Sequence, residues 1–180
     1  MEINLVTSNL GKVKEFKAIL KGSIKINHIH LEYKELRSDD PEEITRDAAK
    51  RLAEDLQKPV VVEDSGLFIK ALNDFPGTCS SYIHKRIGLK GILKLMENIG
   101  NRTCFYRSAV GYCEPGKEPI SFFGEEKGIV AKELKGNFGF GHDPIFIPHN
   151  SKKTYGEMEN CENLKRFRKI AAEKLKNYLK

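Results

Sequence analysis

Glu63 and Asp64 stand side by side directly after Val60-Val61-Val62, and apolar sequence resumes two residues later as Leu67-Phe68-Ile69. Three consecutive valines read as a strand buried on both faces. Two carboxylates where that strand ends are costly to hide from water. The carboxyl end of a buried strand is also where open α/β sheets bind ligands. Holding a hard cation such as Mg²⁺ and moving a proton are the two uses this chemistry offers. A pair that caps the next segment or meets a lysine is the structural alternative.

A second candidate is the turn Thr7-Ser8-Asn9-Leu10-Gly11-Lys12. It offers hydroxyls, an amide, a lysine and backbone N–H groups at a helix start, which together suit an anion such as phosphate. It lacks the GxxxxGK[ST] spacing of a Walker A loop, and an ordinary strand-to-helix turn has the same composition. Glu35 lies in a polar stretch, Tyr33-Lys34-Glu35-Leu36-Arg37. His142 and Asp143 close a glycine- and aromatic-rich loop, Asn137-Phe138-Gly139-Phe140-Gly141-His142-Asp143-Pro144. Adjacent residues seldom reach the same atom, so a loop role is expected for that couple. His28, His30, His84 and His149 show no ligand spacing.

The elements that must position these groups follow from periodicity. Residues 3–6 read as a strand. Val13, Phe16 and Leu20 fall at helical spacing, so a helix starts near Lys12. Residues 25–31 alternate as a second strand. Asp40-Pro41-Glu42-Glu43 has a capping aspartate, proline at the first helical position and acids in the first turn. Ile44, Ala48, Leu52 and Leu56 then form one face, and Pro59 stops the helix before the valine strand. This alternation of strands and helices argues for an α/β fold. Short helices are expected at residues 80–87 and 91–96. A hairpin is expected from residues 104–113 and 120–123 about Pro115-Gly116-Lys117, with a separate strand at residues 128–131. Leu164, Phe167, Ala171, Leu175 and Tyr178 mark a final amphipathic helix.

The chain has 180 residues, 39% hydrophobic and 31% charged, the composition of a globular protein. No repeat or long linker divides it, so one domain over residues 1–180 is expected. No apolar stretch reaches the roughly 20 residues of a membrane helix, and the N-terminal residues lack a secretion signal; no membrane partner and a cytoplasmic location are expected. Cys79, Cys104, Cys113 and Cys161 form no CxxC pair, so they read as small core residues rather than zinc ligands. A formal charge of +6 favours an anionic partner.

A phosphate-binding turn, a carboxylate pair for Mg²⁺ and an aromatic loop that could stack on a base are the parts of a nucleotide hydrolase. Five motifs occur in order: Thr7-Ser8-Asn9-x-Gly11-Lys12, Val62-Glu63-Asp64-Ser65-Gly66-Leu67, Phe75-Pro76-Gly77, Phe140-Gly141-His142-Asp143-Pro144 and Thr154-Tyr155-Gly156-Glu157-Met158. Together they resemble the inosine triphosphate pyrophosphatases, over nearly the whole chain. The resemblance implies an elongated mixed β-sheet flanked by helices, with two lobes and a substrate cleft between them. It also implies a homodimer, Mg²⁺ dependence, and hydrolysis of ITP, dITP and XTP to the monophosphate and pyrophosphate.

By the same resemblance, Thr7, Ser8, Asn9, Leu10, Gly11 and Lys12 bind the triphosphate. Asp64 is metal ligand and proton acceptor, Glu35 is a second metal ligand, and Ser65 contacts substrate. Phe140, Gly141, His142 and Asp143 contact the base, and Lys165-Arg166 stand where the family has a His-Arg pair. The chain departs from the family at Cys79 and Ser81, where a tyrosine and a basic residue are usual. A helix lysine falls near Ala48, with Lys50 as its nearest substitute. The family's Glu-Lys-Asn reads Glu162-Asn163, without the lysine. Two other functions compete on sequence grounds. One is a related pyrophosphatase for pyrimidine or modified nucleotides. The other is a basic nucleic-acid-binding module, which leaves Glu35, Glu63 and Asp64 unexplained; no nucleic acid is therefore expected as partner.

Overall fold

The computed structural model describes residues 2–180. Its elements run β1 (Glu2–Val6), α1 (Leu10–Ile19), β2 (Lys25–Ile29), α2 (Pro41–Leu56), β3 (Val60–Ile69), β4 (Pro76–Gly77), α3 (Ser80–Leu95), β5 (Thr103–Cys113), β6 (Ile120–Val130), β7 (Phe146–Pro148) and α4 (Arg166–Tyr178). Among the described residues seven strands form one mixed sheet in the order β2-β1-β3-β5-β6-β7, with β4 on β3. The β1 strand is parallel to β2 and β3, whereas β3–β4 and β6–β7 are antiparallel. The α/β expectation holds. Among the described residues no helix is long and apolar enough to cross a membrane.

Three expectations need correction. The strand does not stop at the acid pair: β3 continues through Glu63, Asp64, Ser65 and Gly66 for ten residues. Residues 128–131 are not a separate strand, because β6 runs unbroken to Val130. The two short helices are joined as α3, whose kink falls at Gly88 with φ 63°, a conformation suited to glycine.

The chain divides into two compact units. The first comprises the chain up to Asp64, Ser108–Gly124 and Arg166–Lys180. In it β3 has helices on both faces. Val61 packs with Phe16 and Leu20 of α1 and Ala171 and Leu175 of α4. Val60 and Val62 pack with Ala48, Leu52 and Ala53 of α2. Side chains alternate along a strand, so Glu63 inherits the α1–α4 face and Asp64 the α2 face. The α4 helix approaches β6 closely at Gly124, where an added Cβ would lie 2.0 Å from the Phe167 carbonyl oxygen.

The second unit comprises Ser65–Arg107 and Glu125–Lys165. Phe75-Pro76-Gly77, with a cis Phe75–Pro76 bond, pairs as β4 with Leu67 and Phe68. The Ser80 hydroxyl locks this motif, donating to the Gly77 carbonyl at 2.7 Å and accepting from the Leu67 N–H at 2.8 Å. Tyr106, Phe146 and Tyr155 stack in sequence. His142 is buried with its ring edge-on to His84, centroids 5.3 Å apart. His142 Nε2 and His84 Nδ1 have no hydrogen-bond partner among the described residues. Burial, then the neighbouring His84, lowers the His142 pKa to about 4.

Two measurements check this packing. Gly124→Ala should lower the unfolding free energy by about 1–3 kcal/mol, because backbone must shift to admit the methyl group; an unchanged urea midpoint contradicts the close approach. The neutral His142 contributes stability that is complete above the unfolded histidine pKa, near 6.5. That contribution is lost as pH falls toward 4, because the unfolded state takes up the proton first, and its limit is about 3 kcal/mol. His142→Phe should flatten the stability profile in that window; an unchanged slope contradicts the assignment.

Candidate active site

The β1–β3 register pairs Leu5 with Val61, and continuing it two residues brings Thr7 level with Glu63. Strands β1 and β2 stop at this level, at the paired residues Val6 and Ile29, while β3 runs on. The turn after β1 therefore opens beside the acid pair. The His28 ring nitrogen meets the Thr7 carbonyl at 2.8 Å and steadies the turn, a structural role for a histidine with no ligand spacing.

Asn9 caps α1. Its side-chain oxygen accepts from the Gly11 and Lys12 amides at 2.9 and 3.3 Å, and its own amide donates to the Thr7 hydroxyl at 3.1 Å. Two of the N–H groups expected to meet an anion are thus engaged by the cap. Ser8, Asn9 and Leu10 are exposed.

Lys12 reaches back from the helix to β3. Its ammonium donates to the Glu63 carbonyl at 2.6 Å and lies 3.0 Å from Glu63 Oε2. Burial alone lowers the lysine's pKa, but Glu63 and Asp64 outweigh it and leave it raised. Glu63 is buried and receives two further donors on Oε1: the Ser108 hydroxyl at 2.6 Å and Arg168 Nε at 3.0 Å. A second arm of Arg168 pairs with Glu15 of α1. Burial pulls Arg168 down to about 9, which still leaves it protonated at neutral pH.

Asp64 is buried on the other face of β3, and its charge, with that of Glu63, still helps raise the Lys12 pKa. The Tyr33 phenol is held protonated by burial, then by the negative charges of Glu35, Asp64 and Glu63. The irregular segment carrying Glu35 is fastened to α2 by Arg51, which donates to the Lys34 carbonyl at 2.7 Å and pairs with Asp47. Glu35 itself is exposed. Among the described residues no three His, Cys, Asp or Glu side chains gather as a metal cage. A Mg²⁺ ion shared with substrate phosphates takes only one or two carboxylates and keeps several waters, a donor set of the kind Asp64 and Glu35 could supply.

In the second unit the loop residues converge on Asp143. Its carboxylate accepts from Lys165 Nζ at 2.7 Å, the Phe140 N–H at 2.6 Å and the Tyr106 hydroxyl at 3.3 Å. Lys165 also lies over the Phe140 ring, 4.3 Å from its centroid. Burial pushes the Asp143 carboxyl above the usual range, against Lys165 and these hydrogen bonds. At Gly139 a Cβ would lie 2.1 Å from Asp143 Oδ2 and φ is 74°, so only glycine fits there. Gly141 and Ser65 are partly exposed and Arg166 is exposed.

Of the sequence candidates, the structure thus groups Lys12 with Glu63, and Phe140 with Asp143 and Lys165. It separates Lys165 from Arg166, one buried and one solvated. Ala48 is buried, and Lys50 is exposed and pairs with Glu118 at 3.0 Å. Cys79 and Ser81 are exposed, so only Cys104, Cys113 and Cys161 are core cysteines. Sequence reasoning missed Arg168, Glu15, Ser108 and Tyr33. Arg168 carried a signal: it falls on the buried stripe of α4 with Ala171, Ala172 and Leu175, and a charge on such a stripe needs a partner.

A dITP/XTP pyrophosphatase from Methanopyrus kandleri is 48% identical over 166 residues, spanning 90% of this chain and 88% of that protein. One from Saccharolobus solfataricus is 43% identical over 159 residues, spanning 88% and 82%. A solved HAM1 protein from Coxiella burnetii superposes with a TM-score of 0.85 at 26% identity, covering 99% of this chain and 98% of that one. The Staphylococcus aureus Ham1 protein gives 0.81 at 26% identity, covering 98% and 97%. The Ham1 family model matches residues 3–178, and the chain belongs to the Ham1 family.

Proposed function

We propose that this chain hydrolyses non-standard purine nucleoside triphosphates, ITP, dITP and XTP, to the monophosphate and pyrophosphate. The names of its relatives support the substrate class. The observation that carries the chemistry is the splitting of adjacent acids by strand alternation. Glu63 is neutralised by Lys12 and Arg168, which leaves Asp64 as the carboxylate of this pair on the α2 face.

In this reading Glu35 and Asp64 hold Mg²⁺, which when bound neutralises phosphate charge and makes water more acidic. Asp64 orients a water molecule and takes its proton. The water oxygen forms a bond to the α-phosphorus as the bond to the bridging oxygen breaks, and pyrophosphate leaves. Lys12, with the Ser8-Asn9 turn, stabilises charge growing on the phosphates, a term that is usually large in such reactions. Thr7, Leu10 and Gly11 shape the turn, and Ser65 contacts substrate.

Phe140, Gly141, His142 and Asp143, with Lys165 and Arg166, recognise the base. Arg166 is exposed and offers donors suited to the 6-oxo group of hypoxanthine or xanthine, while Lys165, held by Asp143 at 2.7 Å, braces the Phe140 loop. An adenine amino group would leave a donor unpaired, at roughly 1–3 kcal/mol. The enzyme works in the cytoplasm as a homodimer; exposed Tyr82, Ile87 and Leu95 of α3 offer apolar surface for a second copy.

Pyrophosphate release from ITP, XTP, dITP, dUTP and the standard triphosphates, with and without Mg²⁺, tests the reading. Metal-dependent release is expected, favouring ITP and XTP over ATP by about 10-fold or more. Release from dUTP alone would shift the function to pyrimidine nucleotides, and release from none would end the hydrolase reading. Chelation should abolish turnover; full activity in chelator would remove the metal role of Glu35 and Asp64.

A further inference from the structure

Lys12 and Arg168 neutralise the same buried carboxylate from opposite sides. Glu63 Oε2 faces Lys12, and Oε1 faces Arg168 and Ser108. Arg168 also engages Glu15, which lies three residues beyond Lys12 and so one turn along the same face of α1. Two acids and two bases thus close a ring from α1 to β3 to α4 and back to α1. Side-chain exposure is 16% for Lys12 and 1–2% for Glu63, Arg168 and Glu15. Lys12 is therefore the member of this ring that an arriving anion can reach.

An anion engages Lys12 by drawing it away from Glu63. If Lys12 were the carboxylate's sole cation, that step would strand a buried charge, which is strongly unfavourable. In this ring Glu63 keeps Arg168 and the Ser108 hydroxyl when Lys12 leaves. We infer that Arg168 is a positioning residue for phosphate binding: it holds the charge of Glu63 so that Lys12 can be released to the triphosphate. The inference rests on the reading of Lys12 as a phosphate ligand. Arg168 itself need not touch the nucleotide; it sets how tightly the interior holds the lysine that does.

Removing Arg168 should tighten the Lys12–Glu63 pair and weaken anion binding, and neutralising Glu63 as well should undo the effect. The test is calorimetric affinity for inorganic tripolyphosphate with Mg²⁺, measured on wild type, Lys12→Gln, Arg168→Gln, Arg168→Lys and the double variant Glu63→Gln/Arg168→Gln. Thermal unfolding of each variant is recorded alongside. Arg168→Gln should bind about 10-fold more weakly, with Arg168→Lys and the double variant within about threefold of wild type. An arginine that contacts phosphate directly would not be rescued by Glu63→Gln, and a merely structural one would show a lowered unfolding temperature in Arg168→Gln that accounts for the lost binding. Wild-type affinity in Arg168→Gln, or a double variant as weak as the single, overturns the inference. Unchanged affinity in Lys12→Gln instead overturns the reading of Lys12 beneath it. If Arg168→Gln does not fold, the decision falls to the other two: Arg168→Lys and the double variant must both bind near wild type, and weak binding by either overturns the inference.

Discussion

A carboxylate in the middle of a central strand, 2% exposed, has to be neutralised where it stands, since an unpaired charge in a protein interior costs several kcal/mol or more. Glu63 meets that demand with partners from three other elements: Lys12 of α1, Ser108 of β5 and Arg168 of α4. The same contacts fix where α1 begins relative to β3 and which face α4 presents. Val13 and Phe16 on α1, and Ala171 and Leu175 on α4, then fill the space around the polar ring. Hydrophobic burial supplies the stabilisation, and the charges set the alignment, because apolar side chains would tolerate small shifts that hydrogen bonds do not.

The same constraint separates two neighbouring carboxylates. Alternation along β3 turns Glu63 toward α1 and α4 and Asp64 toward α2. Both are buried, but Glu63 is the one neutralised by Lys12 and Arg168. Adjacent placement is how the chain delivers both from one strand: a one-residue slip of register would exchange their faces and take Glu63 away from Arg168, leaving it Glu15.

Much of the first unit was legible in the sequence. The Asp40-Pro41 helix start follows from local chemistry, as do the valine strand and the amphipathic α4. The turn at Thr7–Lys12 was legible as a helix start, but the use of the Gly11 and Lys12 amides by Asn9 depends on side-chain geometry that composition does not reveal. The course of β3 through Glu63 and Asp64 was hidden for a physical reason. Carboxylates and a glycine read as a strand end, and only partners 45 and 105 residues away make a strand there tolerable. The sequence placed Lys165 beside Arg166 but did not reveal its ion-pair partner, Asp143, which is 22 residues earlier in the chain. The motifs located the candidate groups, and long-range pairing decided what each one can do.

The division of labour between Glu63 and Asp64 is the claim on which the catalytic reading stands. The most direct measurement is a paired one: turnover of ITP and urea unfolding for Asp64→Asn and for Glu63→Gln. The account predicts that Asp64→Asn loses about 100-fold or more in kcat while keeping its unfolding midpoint. Glu63→Gln should lose stability by roughly 3–5 kcal/mol and keep kcat within about 10-fold. Near-normal turnover in Asp64→Asn, or a catalytic loss confined to Glu63→Gln in a fully stable protein, would contradict it.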